Sequence, residues 1–151
     1  MMRHSLETNA QILIAQTKED IGSCFATLQE LRPQYKDKEI LILQIERQIK
    51  EGYTLSYIVD EEEAVSCIGF RIFETLAWGK ILYIDDLVTR ESSRRKGFGR
   101  KLLAYAIDQG RMENCDQIHL DSGHHRFDAH RLYLNMGFKI TCHHLALVFT
   151  K

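Results

Sequence analysis

Several common features are missing from this chain, and each absence excludes something. Four cysteines (Cys24, Cys67, Cys115, Cys142) are scattered with no CxxC pair. That excludes a zinc ribbon or disulfide framework, so four reduced, partly buried thiols are expected. No apolar run reaches the ~18 residues of a membrane span, so no membrane contact is expected. Residues Met1 to Ser5 lack the apolar core of a signal peptide, and a cytoplasmic location follows as the expectation. Net charge is only −1, which argues against a general nucleic-acid binder. There is one proline, Pro33, and no internal repeat, linker or low-complexity stretch.

What remains is a chain of 151 residues with enough hydrophobic content (44%) for a core, read as one domain over 1–151. Gln11 to Gln16 is a short strand candidate. Thr17 is placed to cap the following helix, with Asp20 in its first turn. Ile21, Phe25 and Leu28 recur at helical spacing, and Pro33 ends that helix near Leu31. Lys38 to Glu51 reads as a second helix, stopped by Gly52. Tyr53 to Val59 and Ala64 to Phe73 flank an acidic turn, Asp60 to Glu63, and predict a hairpin. A third strand runs from Gly79 to Val88. A helix near 99–112, a strand from Asp116 to Leu120 and a helix from Arg126 to Met136 come next. Phe138 to Cys142 and Leu145 to Phe149 read as a closing hairpin. The order is β-α-α-β-β-β-α-β-α-β-β, which predicts a mixed α/β sheet covered by helices.

One segment departs from the chain's neutrality. Around Arg94-Arg95-Lys96-Gly97-Phe98-Gly99-Arg100, six basic residues (with Arg90 and Lys101) stand against one acid, Glu91. The segment links a strand to a helix. Glycines let backbone approach a ligand, and a helix start offers unpaired N–H groups and a positive dipole end. Together these make a pyrophosphate cradle. A Walker-type loop is disfavoured because no Gly-Lys-Ser/Thr follows. A dinucleotide fingerprint is disfavoured because the third glycine is missing.

This order of elements, with Arg94, Gly97 and Gly99 matching an R/Q-x-x-G-x-G/A loop, resembles the GNAT family of N-acetyltransferases. A second motif agrees: the late helix carries Ala129 to Met136 with Tyr133 near its end, and Gly137-Phe138 follows. The resemblance covers nearly the whole chain and implies a mostly antiparallel sheet whose central strands splay. It implies that acetyl-CoA is the cosubstrate, with its pyrophosphate on the amides of Arg95, Lys96, Gly97, Phe98, Gly99 and Arg100, beside Arg94. The pantetheine arm would pair with backbone at Leu87, Val88 and Thr89. Tyr133 would protonate the departing thiolate, a role that suits a phenol neutral at pH 7. The position after Arg94 is commonly glycine in the family, and here it is Arg95. Seven residues before the tyrosine the family often has asparagine. Here Arg126 takes that place, within reach of pantetheine or phosphate.

Asp85 and Asp86 interrupt an otherwise apolar strand. Neighbours on a strand point to opposite faces, so one carboxylate should face the site. The bland reading is a salt bridge. The functional one is an anchor for an ammonium group, or a base acting through water. Tyr83-Ile84-Asp85-Asp86-Leu87 looks like the polyamine branch of the family, which favours Asp85 beside the amine. Glu74, His119 and His124 are lesser candidates for the base. The seven histidines show no metal-ligand spacing, and no metal is expected. The expected reaction is acetyl transfer to a small-molecule or peptide amine by direct attack, with the oxyanion met by a strand amide, for which Val88 is the candidate. The alternative is a non-catalytic acetyl-CoA-binding regulatory domain. Nucleic-acid binding through the basic turn is a third reading. Family members are often dimers, so a homodimer belongs among the expectations.

Overall fold

The computed structural model describes residues 10–151. Met1 to Ser5, which carried the expectation of no signal peptide, lie outside the described residues. Contacts divide the chain into two compact units, Met1–His119 and Leu120–Lys151.

The first unit is built on a sheet in the order β1-β2-β3-β4-β5. The strands are β1 (Ile12–Ile14), β2 (Tyr53–Asp60), β3 (Glu63–Thr75), β4 (Gly79–Thr89) and β5 (Gln117–Leu120). β1 through β4 pair antiparallel. Helices α1 (Lys18–Ser23), α2 (Phe25–Leu31) and α3 (Lys38–Lys50) precede the hairpins, and α4 (Phe98–Met112) follows β4. Thr17 caps α1 through a capping box. Asp20 donates its backbone N–H to Thr17 Oγ1 (3.1 Å), and Thr17 N–H donates to Asp20 Oδ2 (3.0 Å). Asp37 caps α3 through its side chain alone, accepting from the amides of Glu39 and Ile40. The expected first helix is two helices meeting at Cys24.

The sheet buries both faces. On one, Ile21, Leu28, Leu41, Ile42 and Ile45 from the first three helices pack with Tyr53, Leu55, Tyr57, Cys67 and Val88 from the strands. On the other, α4 brings Tyr105 edge-on to Phe70 (6.3 Å between centroids). Its residue Gly110 sits against Ile118 and Leu82. Tyr53 and Val88 thus share the face covered by α1–α3.

The β3–β4 ladder has one irregularity that matters for function. Gly69 pairs with Asp86, but the next residue, Phe70, pairs with Ile84. One step on β3 therefore spans two on β4, and Asp85 is the extra residue of a β-bulge.

The second unit holds α5 (Phe127–Asn135). Gly137, at φ 97°, ends it. Gly137 N–H donates to Leu134 O (3.1 Å) and Phe138 N–H to Tyr133 O (3.0 Å), the paired bonds of a Schellman motif. The mixed sheet flanked by helices stands as expected. The closing hairpin does not: residues 138–151 contain no helix or strand. Leu145, Leu147, Val148 and Phe149 are all at least 80% exposed. Apolar alternation gives a segment the capacity for a strand. A strand also needs a neighbour for its N–H and C=O groups, and a lone two-stranded hairpin is marginal in water.

Candidate active site

The basic loop leaves β4 at Thr89 and passes through a short 3-10 turn, Glu91–Ser93. Gly97 sits at the start of α4 with φ 82°, and no side chain caps the helix. The N–H groups of its first turn are therefore open to an outside acceptor. Arg95 also has positive φ, at 65°. That left-handed conformation explains why glycine would suit the position. Side chains of Arg94, Arg95, Lys96 and Arg100 are all exposed. Part of the surplus charge is tied to the β2–β3 hairpin tip: Arg90 to Glu63 at 2.5 Å, and Lys96 to Asp60 at 3.4 Å. The acidic tip therefore holds the basic loop and is not merely solvated.

Leu87, Val88 and Thr89 continue along β4 and pair with Ile68, Cys67 and Ser66 of β3. Immediately before them lie the two aspartates. A regular strand would turn them to opposite faces, and the expectation of one inward carboxylate is corrected here. The bulge at Asp85 places both on the wall of a single cavity of about 340 Å³, together with Tyr83. The end of α2, the turn after it and α3 supply the other wall, through Arg32, Gln34, Tyr35, Gln44 and Gln48.

Each carboxylate in that cavity has a cationic partner. Arg71 grips Asp85 with Nη2 on Oδ2 (2.5 Å) and Nε shared between both oxygens (3.1 Å each). Asp86 takes Arg32 Nε (3.0 Å) and Nη2 (2.8 Å) on Oδ1. On Oδ2 it accepts the Tyr53 phenol at 2.7 Å. Burial, then the neighbouring Asp86 charge, push that phenol well above its usual pKa, so it stays a donor. The hydrogen bond to Asp85 raises Arg71 above even its high usual value. Arg71 also lies over the Tyr53 ring, 5.6 Å from its centroid. Sequence reasoning missed Arg32, Tyr53 and Arg71. One signal pointed to them: Gly69, a lone glycine inside a strand, marks a bulge or a close approach.

Tyr133 and Arg126 belong to the second unit. Tyr133 is half-buried, and its ring lies 5.9 Å from that of Phe138. Burial raises the Tyr133 phenol, and the Arg126 charge opposes the rise. The Gly-Phe that follows this tyrosine in sequence has a physical meaning. Tyr133, Gly137 and Phe138 take part in one helix stop, which also sets the Phe138 ring beside the Tyr133 ring.

The lesser candidates have other neighbours. Glu74 faces Lys80 across the exposed end of the β3–β4 ladder. His119 stacks on Trp78 at 4.2 Å. His124 lies beside His125, their ring centroids 5.5 Å apart. Among the described residues no three metal-ligating side chains converge, and no helix is long and apolar enough to cross a membrane.

Comparison with known proteins agrees with this architecture. The sequence matches the acetyltransferase (GNAT) family over residues 16–138. It is 34% identical over 126 residues to the uncharacterized N-acetyltransferase YhdJ of Bacillus subtilis (strain 168), covering 82% of this chain and 88% of that protein. A transcriptional regulator from Bacillus halodurans C-125 has the same fold at 23% identity, with a TM-score of 0.82 over 93% of this chain and 100% of that one. So does AAC(6')-Iy, solved with the bisubstrate analogue CoA-S-monomethyl-acetylneamine, at 13% identity and a TM-score of 0.77 over 95% of this chain and 99% of that one. The family match runs through both units and the relative covers most of the chain: this protein belongs to the GNAT acetyltransferase family.

Proposed function

We propose that this protein transfers the acetyl group of acetyl-CoA to an amine by direct attack. The observation that carries the reading is the continuity of β4. Tyr83, Asp85 and Asp86 line the cavity, residues 87–89 follow on the same strand, and the open helix start of α4 comes just beyond. A strand advances about 3.3 Å per residue, so a thioester held along Val88 would lie within two or three residues of the cavity wall. The exposed basic side chains and amides from Arg94 to Arg100 support a pyrophosphate site there. Leu87, Val88 and Thr89 would guide the pantetheine arm, and Arg126 would add a cation for pantetheine or phosphate.

The chemistry divides among the chain's residues. An alkylammonium must lose a proton before it attacks. Arg71 already occupies both oxygens of Asp85. Carboxylate lone pairs not engaged by Arg71 are left to hold a water, so Asp85 serves as a relay and anchor for the amine. The amine nitrogen then bonds to the thioester carbonyl carbon, and the Val88 amide steadies the oxyanion. As the C–S bond breaks, the thiolate takes a proton from Tyr133, whose raised pKa keeps it protonated at neutral pH. The second N–H proton restores the Tyr133 phenol through solvent, and the proton taken by the relay is the one released.

Thiol release from acetyl-CoA, measured across amine panels, tests the reading. Turnover should appear with an acceptor, and Tyr133→Phe should cut kcat about 10²-fold or more while calorimetry shows unchanged coenzyme A binding. A Tyr133→Phe enzyme with wild-type turnover removes the assigned role. Coenzyme binding with no acceptor turned over by any amine would instead favour the regulatory reading.

A further inference from the structure

We infer that the acceptor carries a carboxylate beside its amine, as a free α-amino acid does, and that Arg32 receives that carboxylate. The inference rests on the acetyltransferase reading and names the substrate class of that site.

Charge balance is the first argument. Asp85 and Asp86 would suit a polyamine if they stood alone. They do not: Arg71 and Arg32 supply one guanidinium for each carboxylate, at 2.5 and 2.8 Å. The cluster is neutral, and both Asp86 oxygens already accept donors from Arg32 and Tyr53. A polycation needs a net anionic well to gain by entering, and this cavity does not offer one.

Accessibility is the second. Arg32 is the more exposed member of its pair, 40% against 15% for Asp86. It stands just after α2, its backbone N–H closing the helix on Leu28 O, and Pro33 follows. Its Nε and Nη2 are spent on Asp86 and on the backbone carbonyl of Asp85. Its Nη1, with two N–H groups, has no acceptor among the described residues. A guanidinium already oriented by one carboxylate, with a free pair of donors on a residue that lines a cavity, suits a second carboxylate.

Size and lining complete the case. About 340 Å³ is at the small end for ligand cavities. Three amides, Gln34, Gln44 and Gln48, line it without adding charge. They suit a neutral polar side chain. The amine of such an acceptor would then lie toward Asp85 and β4, where the thioester is expected. In the reaction its nitrogen gains the acetyl carbon, coenzyme A leaves with one proton, and one proton goes to solvent.

The test compares matched trios in the thiol-release assay: an amino acid, its carboxamide and its decarboxylated amine, with spermidine alongside. Wild type should favour the free acid at least about 10-fold in kcat/KM over its carboxamide and its amine. Arg32→Gln should lower kcat/KM for the acid about 30-fold and for the amine less than about 3-fold, which erases the preference. Arg32→Lys should retain part of it, because it keeps the charge. Coenzyme A calorimetry on both variants verifies that the fold and donor site survive. A wild-type preference for the carboxamide, the amine or spermidine overturns the inference and leaves the acetyltransferase reading intact. So does an Arg32→Gln or Arg32→Lys enzyme, folded by calorimetry, that discriminates like wild type. Failure of every amino acid either to turn over or to bind in the presence of coenzyme A also overturns it. Loss of coenzyme A binding by wild type itself would bring down the broader reading and this one with it.

Discussion

Gly69 lies directly beneath the ring of Tyr53: a β-carbon at residue 69 would sit 1.7 Å from the phenol oxygen and 2.3 Å from its ring carbon. The missing side chain is what lets the phenol reach Asp86 at 2.7 Å across the sheet. Gly69 is also the direct ladder partner of Asp86, at the edge of the bulge.

Gly69→Ala is therefore expected to invert the usual rule. Alanine in a strand interior is normally no worse than glycine. Here the added methyl must displace a buried ring, and a loss of about 1–3 kcal/mol is expected in urea unfolding. Acceptor KM should rise as Asp86 loses its phenol, while coenzyme A affinity stays near wild type.

Alkaline pH should expose the same phenol. In the unfolded chain a tyrosine ionises near pH 10, whereas burial and Asp86 hold Tyr53 well above that. The folded state thus keeps a proton the unfolded state gives up. Stability is fully present below about pH 10 and declines as pH rises beyond it. Tyr53→Phe should flatten this decline between pH 9 and 11 in denaturant titrations. An unchanged slope would mean that the phenol is not held as described.

Two positions in the basic loop should respond in opposite senses. Gly97→Ala meets no atom within 4 Å, so its cost is purely the φ of 82°. A loss of about 1 kcal/mol is expected, with weaker coenzyme A binding as the first amides of α4 shift. Arg95→Gly relieves a φ of 65° and should stabilise by about 0.5–1 kcal/mol. It should nonetheless weaken coenzyme A binding and reduce its salt dependence, because a cation is gone. Calorimetry at low and high salt separates the two effects.

The stop of α5 offers a test of orientation as opposed to chemistry. Gly137→Ala works against a φ of 97° and should cost about 1 kcal/mol. Phe138→Ala removes the ring packed on Tyr133. Both variants keep the phenol, yet kcat should fall several-fold with little change in coenzyme affinity. Wild-type kcat in both would detach the helix stop from Tyr133's work.

Much of this was legible from residue order. Thr17 with Asp20, Gly52 and Gly137 mark their helix ends through local rules, and the structure follows them. The Arg94–Arg100 loop was legible because its glycines and charge lie in one stretch. The cavity beside β4 was not. Arg32, Tyr53, Arg71 and Asp86 are spread over four elements, and only the ladder register brings them together. Strict alternation misled at Asp85, because one extra residue in β4 is invisible to a period of two. The closing strands failed for a related reason: a pattern within residues 138–151 carries no information about a pairing partner.

The bulge at Asp85 has a consequence for how this strand can change over time. On the proposed reading it divides β4 into two stretches that share a backbone yet answer to different ligands. Tyr83, Asp85 and Asp86 would meet the acceptor, and Leu87 to Thr89 would meet the donor. A shift of register confined to one side would re-aim Tyr83 and the aspartates while Leu87 to Thr89 keep their partners on β3. On that reading the strand could acquire a new acceptor without renegotiating its hold on the coenzyme.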